Sequence, residues 1–569
     1  MNRIALLLIA LSALWPATDM RAEDRTYDGS GNNITNPLWG AANTQLLRTA
    51  APAYDDGYST PRGGTDPLGP HALPDPRLIS NTIVKQIALM PNAHKMTDWT
   101  FQWGQFIDHD LDLTPLADPP EEFDIPMPVG DDTFDKTSQG NVMMPFQRSD
   151  YDHTTGTGPG NPRQQLNVIT SYIDGSQVYG SDQSRALALR TMSAGRLKTS
   201  NYNLLPFNTM GLPNADNGAP DPSQFYVGGD LRVNEQIGLT TVQTLFMREH
   251  NRLAGQISAA NPTWNDEQVY QRARKFVGAE IQKITYHEFL PALLGSAAPG
   301  LNSNYDPAAN ASVATEFSAA LFRVGHTMLP TQLPRIQNDG TPAPGGPMSL
   351  RDAFFLPTNL SNGPSELDYL LKGLASDQQQ EIDIHVVDDV RDFLFGDPLP
   401  GSGFDLPSLN IQRGRDHGVP DYNTVRAAYK LPKVTSYAQI TSDPTLQAGL
   451  QSLYGDAASG GLDKIDLWIG ALAEDHLPGE QVGPLISAGL VDQFMRDRDG
   501  DRFWFMRDPD FSAADLAHLN SVTLSDVIRW NSSITNLQSS VFFMVPEPTS
   551  ILLIVMGLVA PALLRRRGA

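Results

Sequence analysis

The chain of 569 residues carries 41 basic and 64 acidic side chains, and its formal net charge of −23 argues against nucleic acid or an anionic lipid surface as a primary partner. It contains no cysteine, which excludes disulfides, thiolate-bound metal centres and a cysteine nucleophile. Any bound metal must therefore use nitrogen, oxygen or methionine sulfur, and the 47 glycines and 44 prolines predict long ordered loops between the regular elements.

The first 22 residues have the pattern of an export signal. Arg3 precedes an apolar run from Ile4 to Leu14, and the small residue Ala22 stands before an acidic stretch. We therefore expect residues 1–22 to direct export and to be removed. A buried N-terminal helix is the alternative.

The central chain, residues 23–545, shows no repeat, charge block or low-complexity linker, so a single catalytic domain is the simplest division. Apolar residues recur with helical spacing in several windows, whereas strand-like alternation is scarce. We predict a mainly α fold with little β structure and long irregular loops. The helical windows are roughly Asp98–Asp110, Thr241–Ala259, Asn265–Leu294, Ala308–Met328, Glu366–Leu374 and Val386–Phe395.

The first of these windows contains WGQFIDHDLDLTP, in which one histidine stands among three aspartates. On a helix, Gln105, Asp108 and His109 share a face, while Asp110 points about 100° away. The segment lacks the paired histidines of an HExxH zinc site. Unless the acidic charges are removed, they should raise the pKa of His109 and spoil it as a base. A solvated acidic helix end with a core histidine is the alternative, and Asp112 is interpreted as a structural residue.

The stretch TSYIDGSQVYGSD offers oxygen donors at alternate positions of an extended loop. They are the hydroxyl of Thr170, the carbonyl of Tyr172, the carboxylate of Asp174 and the hydroxyl of Ser176. Hard oxygen donors that converge in this way suit calcium, and a carboxylate from Asp110 would raise the ligand charge. A polar turn without metal is the alternative.

The last residues, 546–569, combine a Pro-Glu-Pro step, the apolar run Ile551–Leu564 and three arginines. This order resembles the PEP-CTERM sorting signals of Gram-negative bacteria. The resemblance implies processing by an exosortase and a mature protein outside the inner membrane, extracellular or at the cell envelope, with membrane contact only through the terminal segments. The apolar run is short of the ~20 residues of a comfortable span, and an ordinary tail anchor predicts the same compartment.

Five separate motifs together resemble the peroxidase–cyclooxygenase superfamily, the animal-type haem peroxidases. They are WGQFIDHDLDLTP, TSYIDGSQVYGSD, LRVNEQ at Leu231–Gln236, FRVGHTMLP at Phe322–Pro330 and LNIQRGRDHG at Leu409–Gly418. YDGSGNNITNPLWGAA, REHNRLA and DRFWF also fit, the motif order is kept, and the resemblance covers nearly the whole mature chain. It implies one large domain with a haem buried between core helices.

The same resemblance implies roles for residues on both sides of the haem. His326 corresponds to the proximal iron ligand, and Asn410 corresponds to the residue that hydrogen-bonds its other ring nitrogen. Gln105, His109 and Arg232 correspond to the distal glutamine, histidine and arginine.

Further positions match residues that bind the cofactor or calcium in the family. Asp108 and Glu235 match carboxyls that in many members form esters to methyl groups of haem b. Arg323 and Arg413 fall where arginines lie beside the haem and its propionates. The calcium ligands implied by the resemblance are Asp110, Thr170, Tyr172, Asp174 and Ser176. Gln236 stands where one branch has a methionine bonded to a haem vinyl group, so no sulfonium link is expected.

The function implied is that of a secreted peroxidase, which reduces hydrogen peroxide and oxidises a halide, thiocyanate or an organic donor through a ferryl intermediate. A neutral His109 would shuttle the peroxide proton, and Arg232 would stabilise charge on the departing oxygen. His109 would stay neutral because Asp108 is esterified, calcium offsets Asp110, and Arg232 adds positive charge nearby. His250 and His417 are expected to hydrogen-bond within the scaffold.

Two other functions stay open at this point. The fatty-acid dioxygenase branch places a radical-forming tyrosine three residues before the proximal histidine, where this chain has Arg323. A haem-free adhesion or matrix protein is opposed by the joint presence of the five residues assigned beside the iron.

Overall fold

The computed structural model describes residues 23–64, 72–218, 221–302, 304–396 and 403–544. The predicted export signal and the predicted sorting tail lie outside these ranges. Within the described ranges, no helix combines the length and apolarity that crossing a bilayer requires.

Helices dominate the described ranges, and the β structure consists of two-stranded sheets whose strands are each two residues long. The α-helices are α1 (Pro76–Ile79), α2 (Trp99–Leu111), α3 (Ser176–Tyr179), α4 (Gln183–Leu189), α5 (Ile237–Ala260), α6 (Asp266–Ile284), α7 (Leu290–Leu294), α8 (Thr315–Ala319), α9 (Glu366–Leu374), α10 (Asp388–Arg391), α11 (Leu406–Asp416), α12 (Tyr422–Ala428), α13 (Pro444–Tyr454), α14 (Leu467–Leu472), α15 (Pro484–Gly500), α16 (Ala513–Ser521) and α17 (Leu524–Asn531). The strands are β1 (Thr44–Gln45), β2 (Ile125–Pro126), β3 (Met143–Met144), β4 (Leu166–Asn167), β5 (Gln332–Leu333) and β6 (Met348–Ser349).

Short 3₁₀ and π segments connect many of these helices. The π segments are Ser80–Val84 and Thr285–Phe289. The 3₁₀ segments are Asn201–Asn203, Pro222–Gln224, Gly295–Ala297, Leu321–Thr327, Leu350–Ala353, Pro357–Asn362, Tyr437–Gln439, Ala457–Ser459 and Gly461–Asp463. The strand pairs β1–β4, β2–β3 and β5–β6 are all antiparallel. The prediction of a mainly α fold with little β structure is confirmed.

The predicted helical windows agree with the structure to different degrees. The window Glu366–Leu374 is α9, and the first two windows become α2 and α5. The window Asn265–Leu294 is a continuous run of α6, a π segment and α7. The window Ala308–Met328 is largely wrong, because α8 is short and Ala320 (φ −146°, ψ −61°) separates it from a 3₁₀ helix. Only the four residues of α10 are helical in the last window.

The helix α2 runs through the main apolar core. Trp103 and Phe106 are fully buried, and the ring centroid of Trp103 lies 5.7 Å from that of Phe246 in α5 and 6.4 Å from that of Phe542. The indole nitrogen of Trp103 donates to the hydroxyl of Thr285 at 3.2 Å. The apolar side of α2 is thereby held by three distant parts of the chain, which fixes its polar side in place.

Two neighbours of α2 bring further polar residues to that side. One is α5, and the other is the 3₁₀ helix Leu321–Thr327, which packs against α2 and also against α14 and α15. The helix α11 packs against α8, just before this 3₁₀ helix. The four elements enclose the space described next.

Candidate active site

A cavity of about 270 Å³ lies between α2, the segment leading into α5 and the 3₁₀ helix Leu321–Thr327. Its walls are mostly apolar, with Phe101, Phe289, Phe322 and Phe354 among them. Apolar walls with a few convergent polar groups are typical of a cofactor site. The polar residues predicted from the sequence that line this cavity are Gln105, Asp108, His109, Arg232, Glu235, Arg323 and His326.

The imidazole of His109 is buried and neutral. Its Nδ1 lies 3.8 Å from Oδ1 of Asp230 and has no hydrogen-bond partner within the described ranges. Burial and then the positive charge of Arg232 lower the pKa of His109 to about 3. This lowered pKa agrees with the prediction of a neutral histidine beside Arg232, since burial and Arg232 outweigh the opposing charge of Asp230.

Arg232 is fixed by a carboxylate that the sequence reasoning missed. Asp230 accepts hydrogen bonds from Nε and Nη2 of Arg232 at 2.9 and 2.8 Å, and Nη2 also donates to the carbonyl of Asp112 at 2.9 Å. Burial tends to raise the pKa of Asp230, yet pairing with Arg232 outweighs burial and lowers it. The only signal in the sequence was an aspartate two positions before the arginine. Asp112 thus takes part in the site through its backbone.

Three glutamines are joined in a hydrogen-bonded chain. Nε2 of Gln236 donates to Oε1 of Gln102 at 2.5 Å and to Oε1 of Gln105 at 2.7 Å. Oε1 of Gln236 accepts from the backbone nitrogen of Gly238 at 2.6 Å, so the same side chain caps α5. With its oxygen held, Gln105 turns its amide nitrogen toward Glu235, 3.4 Å from Oε1.

Asp108 and Glu235 are enclosed carboxyls with raised pKa values. Burial and the charge of Asp112 raise the pKa of Asp108 well above its usual range, and burial raises that of Glu235. Both groups therefore favour the uncharged acid form. Burial and the charge of Asp112 thus disfavour the charged form of Asp108, the charge that the sequence reasoning removed by esterification.

The second histidine of the cavity is held by an amide. Nδ2 of Asn410 in α11 donates to Nδ1 of His326 at 2.8 Å, and Oδ1 of Asn410 accepts from Nη1 of Arg323 at 3.1 Å. Nε of Arg323 donates to the carbonyl of Ser318 at 2.8 Å. Burial and the charge of Arg323 lower the pKa of His326 to about 3, which keeps the ring neutral.

Arg413 lies one helical turn after Asn410 but is not among the residues that line the cavity. Its Nη1 donates to Oγ of Ser149 at 2.6 Å and to Oδ2 of Asp416 at 3.0 Å, and burial lowers its pKa to about 10. The structure therefore brings together every residue predicted beside the iron, and it leaves Arg413 behind the proximal wall.

The predicted calcium ligands gather on the other side of α2. Oδ2 of Asp110 accepts from the backbone nitrogen of Asp174 at 3.1 Å, and Oγ of Ser176 lies 2.9 Å from Oδ1 of Asp110. The hydroxyl of Thr170 lies 3.2 Å from Oδ2 of Asp174. The phenol of Tyr172 bonds elsewhere, to the carbonyl of Trp39 at 2.7 Å, so only its backbone oxygen belongs to this loop.

The donor set of this loop consists of two carboxylates and neutral oxygens. No group of three or more histidine, aspartate or glutamate side chains suited to a metal occurs within the described ranges. Burial and the charge of Asp174 raise the pKa of Asp110 to about 7. Asp110 and Asp174 are two buried acids close enough for the charge of one to raise the pKa of the other. A divalent cation relieves this situation, and an all-oxygen donor set fits calcium.

Two other histidines lie away from the cavity, as expected. Nδ1 of His250 lies 3.0 Å from the hydroxyl of Tyr179, and its Nε2 lies 2.7 Å from the carbonyl of Gly195. Nε2 of His417 lies 2.8 Å from Oγ of Ser149. Both have partners within the scaffold.

A mainly helical domain with two neutral histidines on the walls of one cavity, one of them backed by a polar side chain and the other beside an arginine, is the arrangement of a histidine-ligated haem protein. The profile of the family described as animal haem peroxidase matches residues 24–542. The chain belongs to the animal haem peroxidase family.

Several relatives agree with this assignment. The chain is 36% identical to the mouse peroxidasin homolog, over 91% of this chain and 37% of the relative, so it spans little more than a third of that protein. It is 35% identical to peroxinectin A of Dictyostelium discoideum, over 91% of this chain and 96% of the relative. Human eosinophil peroxidase is 36% identical, over 91% of this chain and 76% of the relative.

Solved structures give the same result for the fold. Peroxidase A from Dictyostelium discoideum superposes with a TM-score of 0.83 at 34% identity, over 92% of this chain and 100% of that chain. The fatty acid alpha-dioxygenase of Arabidopsis thaliana superposes with a TM-score of 0.75 at 20% identity, over 94% of this chain and 87% of that chain. The second likeness shows the fold alone.

Proposed function

We propose that the protein is a haem peroxidase that reduces hydrogen peroxide and oxidises a halide, thiocyanate or an organic donor. The observation that carries this proposal is the neutral, unpaired Nδ1 of His109 in a cavity that also contains Arg232 and His326. A base without a hydrogen-bond partner, next to a fixed cation, is arranged for proton transfer to a small ligand. Arg323, three residues before His326, leaves no tyrosine where the dioxygenase reaction would need one.

The residues present fit a haem. Nε2 of His326 has no hydrogen-bond partner within the described ranges, and His326 lines the cavity, so this nitrogen is available as the iron ligand. Ligation through Nε2 places the ring proton on Nδ1, which then needs an acceptor. A half-turn of the Asn410 amide would supply that acceptor, and Arg323 would then give up its 3.1 Å contact to Oδ1 of Asn410.

Other side chains would complete the haem site. Arg323 lines the cavity and carries a positive charge suited to a propionate. Asp108 and Glu235 line the cavity with raised pKa values, which disfavours a buried carboxylate there and so favours an ester to a haem methyl group. We include these esters with haem b in the proposal. Arg413 would need to exchange its contact with Asp416 to reach a propionate.

When bound, the haem iron would supply the electrons that peroxide reduction requires. The remaining chemistry falls to the protein. His109 takes the proton from one peroxide oxygen and returns it to the other, which leaves as water. Arg232, held by Asp230, stabilises the negative charge that develops on the leaving oxygen. Gln105 presents amide hydrogens to a small anionic donor.

The proposal extends to calcium and to export. Calcium would be bound by Asp110, Thr170, Tyr172, Asp174 and Ser176, where the buried carboxyl of Asp110 accepts from the backbone nitrogen of Asp174 and the charge of Asp174 raises its pKa. Residues 1–22 would direct export, and the tail would be read by an exosortase-type sorting system in a Gram-negative envelope. The tail motif and the signal pattern are the support for this part.

A steady-state screen with peroxide tests the function. The protein, expressed with ample haem, is assayed with bromide, iodide, thiocyanate and phenols, together with His109→Ala. We expect turnover with at least one donor and a loss of about 10³-fold in the variant, since general acid–base catalysis contributes roughly 10²–10⁴-fold. His153→Ala is the matched control, because that imidazole is 58% exposed and outside the cavity.

Three outcomes would contradict the proposal. Full activity of His109→Ala would remove the distal role. Oxygen uptake on linoleate without added peroxide would favour a dioxygenase. Absence of a Soret band in the parent protein would favour a haem-free adhesion protein. Complete extraction of haem into acidified organic solvent after peroxide treatment would contradict the esters alone.

A further inference from the structure

A second cavity, of about 890 Å³, opens on the surface at the C-terminal half of α5 and shares no lining residue with the haem cavity. The segment 191–203 forms one side and the end of α17 forms the other. We call it the basic groove, defined by the side chains Arg196, Lys198, Tyr202, Arg248, Arg252 and Trp530. Nothing in the peroxide chemistry uses it.

The groove concentrates positive charge on a chain with a net charge of −23. Its lining contains four cationic side chains and one carboxylate, that of Asp368. The carboxylate is engaged, because its Oδ2 accepts from the backbone nitrogen of Ser533 at 2.9 Å and from the Ser533 hydroxyl. A local excess of cations on an acidic protein favours an anionic ligand.

Two of these cations lack a carboxylate partner. Arg196 is exposed, and its guanidinium makes no hydrogen bond or ion pair within the described ranges. Arg248 is buried, and its three nitrogens donate only to carbonyls, those of Tyr202 (2.8 Å), Asn203 (2.9 Å) and Asn531 (2.9 Å). Its charge is solvated by dipoles but is not neutralised.

Two aromatic rings form the apolar part of the groove. The guanidinium of Arg252 lies 4.5 Å from the ring centroid of Trp530, and the ring of His518 stacks on Trp530 at 6.0 Å. The second ring, that of Tyr202, is 48% exposed. Flat rings of this kind pack against the apolar faces of sugar rings while their edges remain in water.

The backbone that presents Tyr202 is strained. Tyr202 and Asn203 have φ values of +59° and +57°, and a positive φ is an outlier for a bulky residue such as tyrosine. Both carbonyls of this turn point to Arg248. Strained backbone that the surrounding contacts hold in place is common at ligand sites. Here the strained turn places the exposed ring of Tyr202 beside Arg248, which has no carboxylate partner.

We propose that the basic groove binds a uronate-bearing oligosaccharide. Arg196 would pair with a sugar carboxylate, since a guanidinium matches a carboxylate in two parallel hydrogen bonds. Arg252 is already paired with Glu249 through Nε and Nη2. Tyr202 and Trp530 would contact the ring faces, and the amides and hydroxyls of Asn251 and Ser532 would meet the sugar hydroxyls. The site does not depend on the haem cavity.

Calorimetric titration with a galacturonate hexamer tests the proposal on the full-length purified protein. We expect saturable binding that Arg196→Glu weakens about tenfold, because a bidentate charged contact is replaced by repulsion. Tyr202→Gly is expected to weaken binding while relieving the backbone strain, so that it keeps the fold. Lys136→Glu makes the same charge change on an exposed loop far from the groove and should leave the affinity unchanged.

Several results would overturn the proposal. The first is an absence of binding, and the second is that Lys136→Glu weakens binding as much as Arg196→Glu does. The third is equal affinity for the fully methyl-esterified hexamer. The fourth is that dextran sulfate, single-stranded DNA or anionic vesicles bind more tightly than the hexamer and are equally sensitive to Arg196→Glu. Peroxidase turnover is measured on the same variants and is expected to be unchanged. Calorimetric binding therefore tests the groove proposal, and peroxidase turnover separately tests the proposed function.

Discussion

Asp230 determines the geometry of Arg232, and it does so as a positioning residue. Its two oxygens hold Nε and Nη2 of Arg232 at 2.9 and 2.8 Å, and the carbonyl of Asp112 supplies a third contact. The side chain of Arg232 has four or five rotatable bonds, and these contacts hold its guanidinium in one orientation beside His109. The stabilisation that the fixed Arg232 provides is largest in the step that creates negative charge in the cavity.

Asp230→Asn is expected to lower the second-order rate constant for peroxide by about tenfold, less than the ~10²–10³ lost when a stabilising donor is removed outright. The kcat measured when oxidation of the donor limits turnover should be unchanged, since Arg232 acts only in the step with peroxide. An equal fall in both would mean a general structural defect. Thermal unfolding is measured alongside, because an unpaired buried guanidinium costs roughly 3 kcal/mol.

Gln236 controls the amide of Gln105. Gln236→Ser should keep an N-cap for α5, because serine is a preferred capping residue, and should remove the 2.7 Å contact to Gln105. One lost hydrogen bond of about 1 kcal/mol predicts a roughly fivefold higher KM for the anionic donor. The rate constant for peroxide should stay the same. An unchanged KM would contradict the positioning role.

The grouping of the motif residues in one cavity could be predicted from the sequence because their family signatures are local. Gln105, His109, Arg232 and His326 all line one cavity as the resemblance implied. The ionisation of His109 could not be predicted by adding charges along the chain, because burial sets its pKa. Asp230 was missed because an ordinary loop aspartate gives no signal until its partner is folded against it.

At the scale of elements, α9 and α15 show why one helix could be predicted and another could not. The window of α9 was found to the residue, since one side of that helix packs inward. The helix α15 was missed because buried residues such as Leu485, Gln493 and Asp497 surround its axis. A helix that is enclosed on most sides has no face for periodicity to reveal.

The failure at Ala308–Met328 has a local cause. The segment carries apolar residues at helical spacing, yet Ala320 leaves the helical region and a 3₁₀ turn follows. This break positions His326 over Asn410 at 2.8 Å. Departures from local preference at functional sites are expected, because tertiary contacts there override propensity.

The long helix α5 is fastened to a neighbouring loop by His250. Burial lowers the pKa of this group to about 4 from 6.5, so the neutral form stabilises the fold. This stabilisation is complete above pH 6.5 and is lost as the pH falls toward 4, where the unfolded chain binds a proton that the folded chain does not. The loss between pH 7 and 4.5 is on the order of 2 to 3 kcal/mol.

His250→Gln keeps a donor and an acceptor but cannot titrate. We expect its free energy of unfolding, measured by urea titration at pH 7 and pH 4.5, to fall less with acidity than that of the parent protein. The difference between the parent and the variant in this fall of the free energy of unfolding isolates the effect of His250 from that of other acid-sensitive groups. Identical slopes would show that the group is not neutral and buried.

At the scale of the whole molecule, Asp501 ties the two ends of the domain together. Its oxygens accept from Arg25 at 2.8 Å, from Asn32 at 2.9 Å and from Gln282 at 3.1 Å. The charge of Arg25 also acts on Asp174, lowering a pKa that burial raises. The loop to which the proposal assigns calcium therefore lies where the N-terminal segment, α6 and the C-terminal region meet.

Removal of calcium should consequently destabilise the whole domain. We expect a chelator to lower the thermal midpoint, with a change of about 2.7 kcal/mol if free calcium had stood at about 100 times its dissociation constant. Asp174→Asn should abolish the response, whereas Asp132→Asn, an exposed change of the same kind, should retain it. An unchanged midpoint in the parent protein would contradict the calcium site.

The 24 residues of α5 join the two cavities on one rigid rod. Gln236 stands at its start beside the haem cavity, and Arg248 stands twelve residues later in the groove, about 18 Å along the axis at 1.5 Å per residue. A polymer bound in the groove would therefore experience the peroxidase's small oxidised product at a high effective concentration, set by the helix length rather than by the surrounding solution.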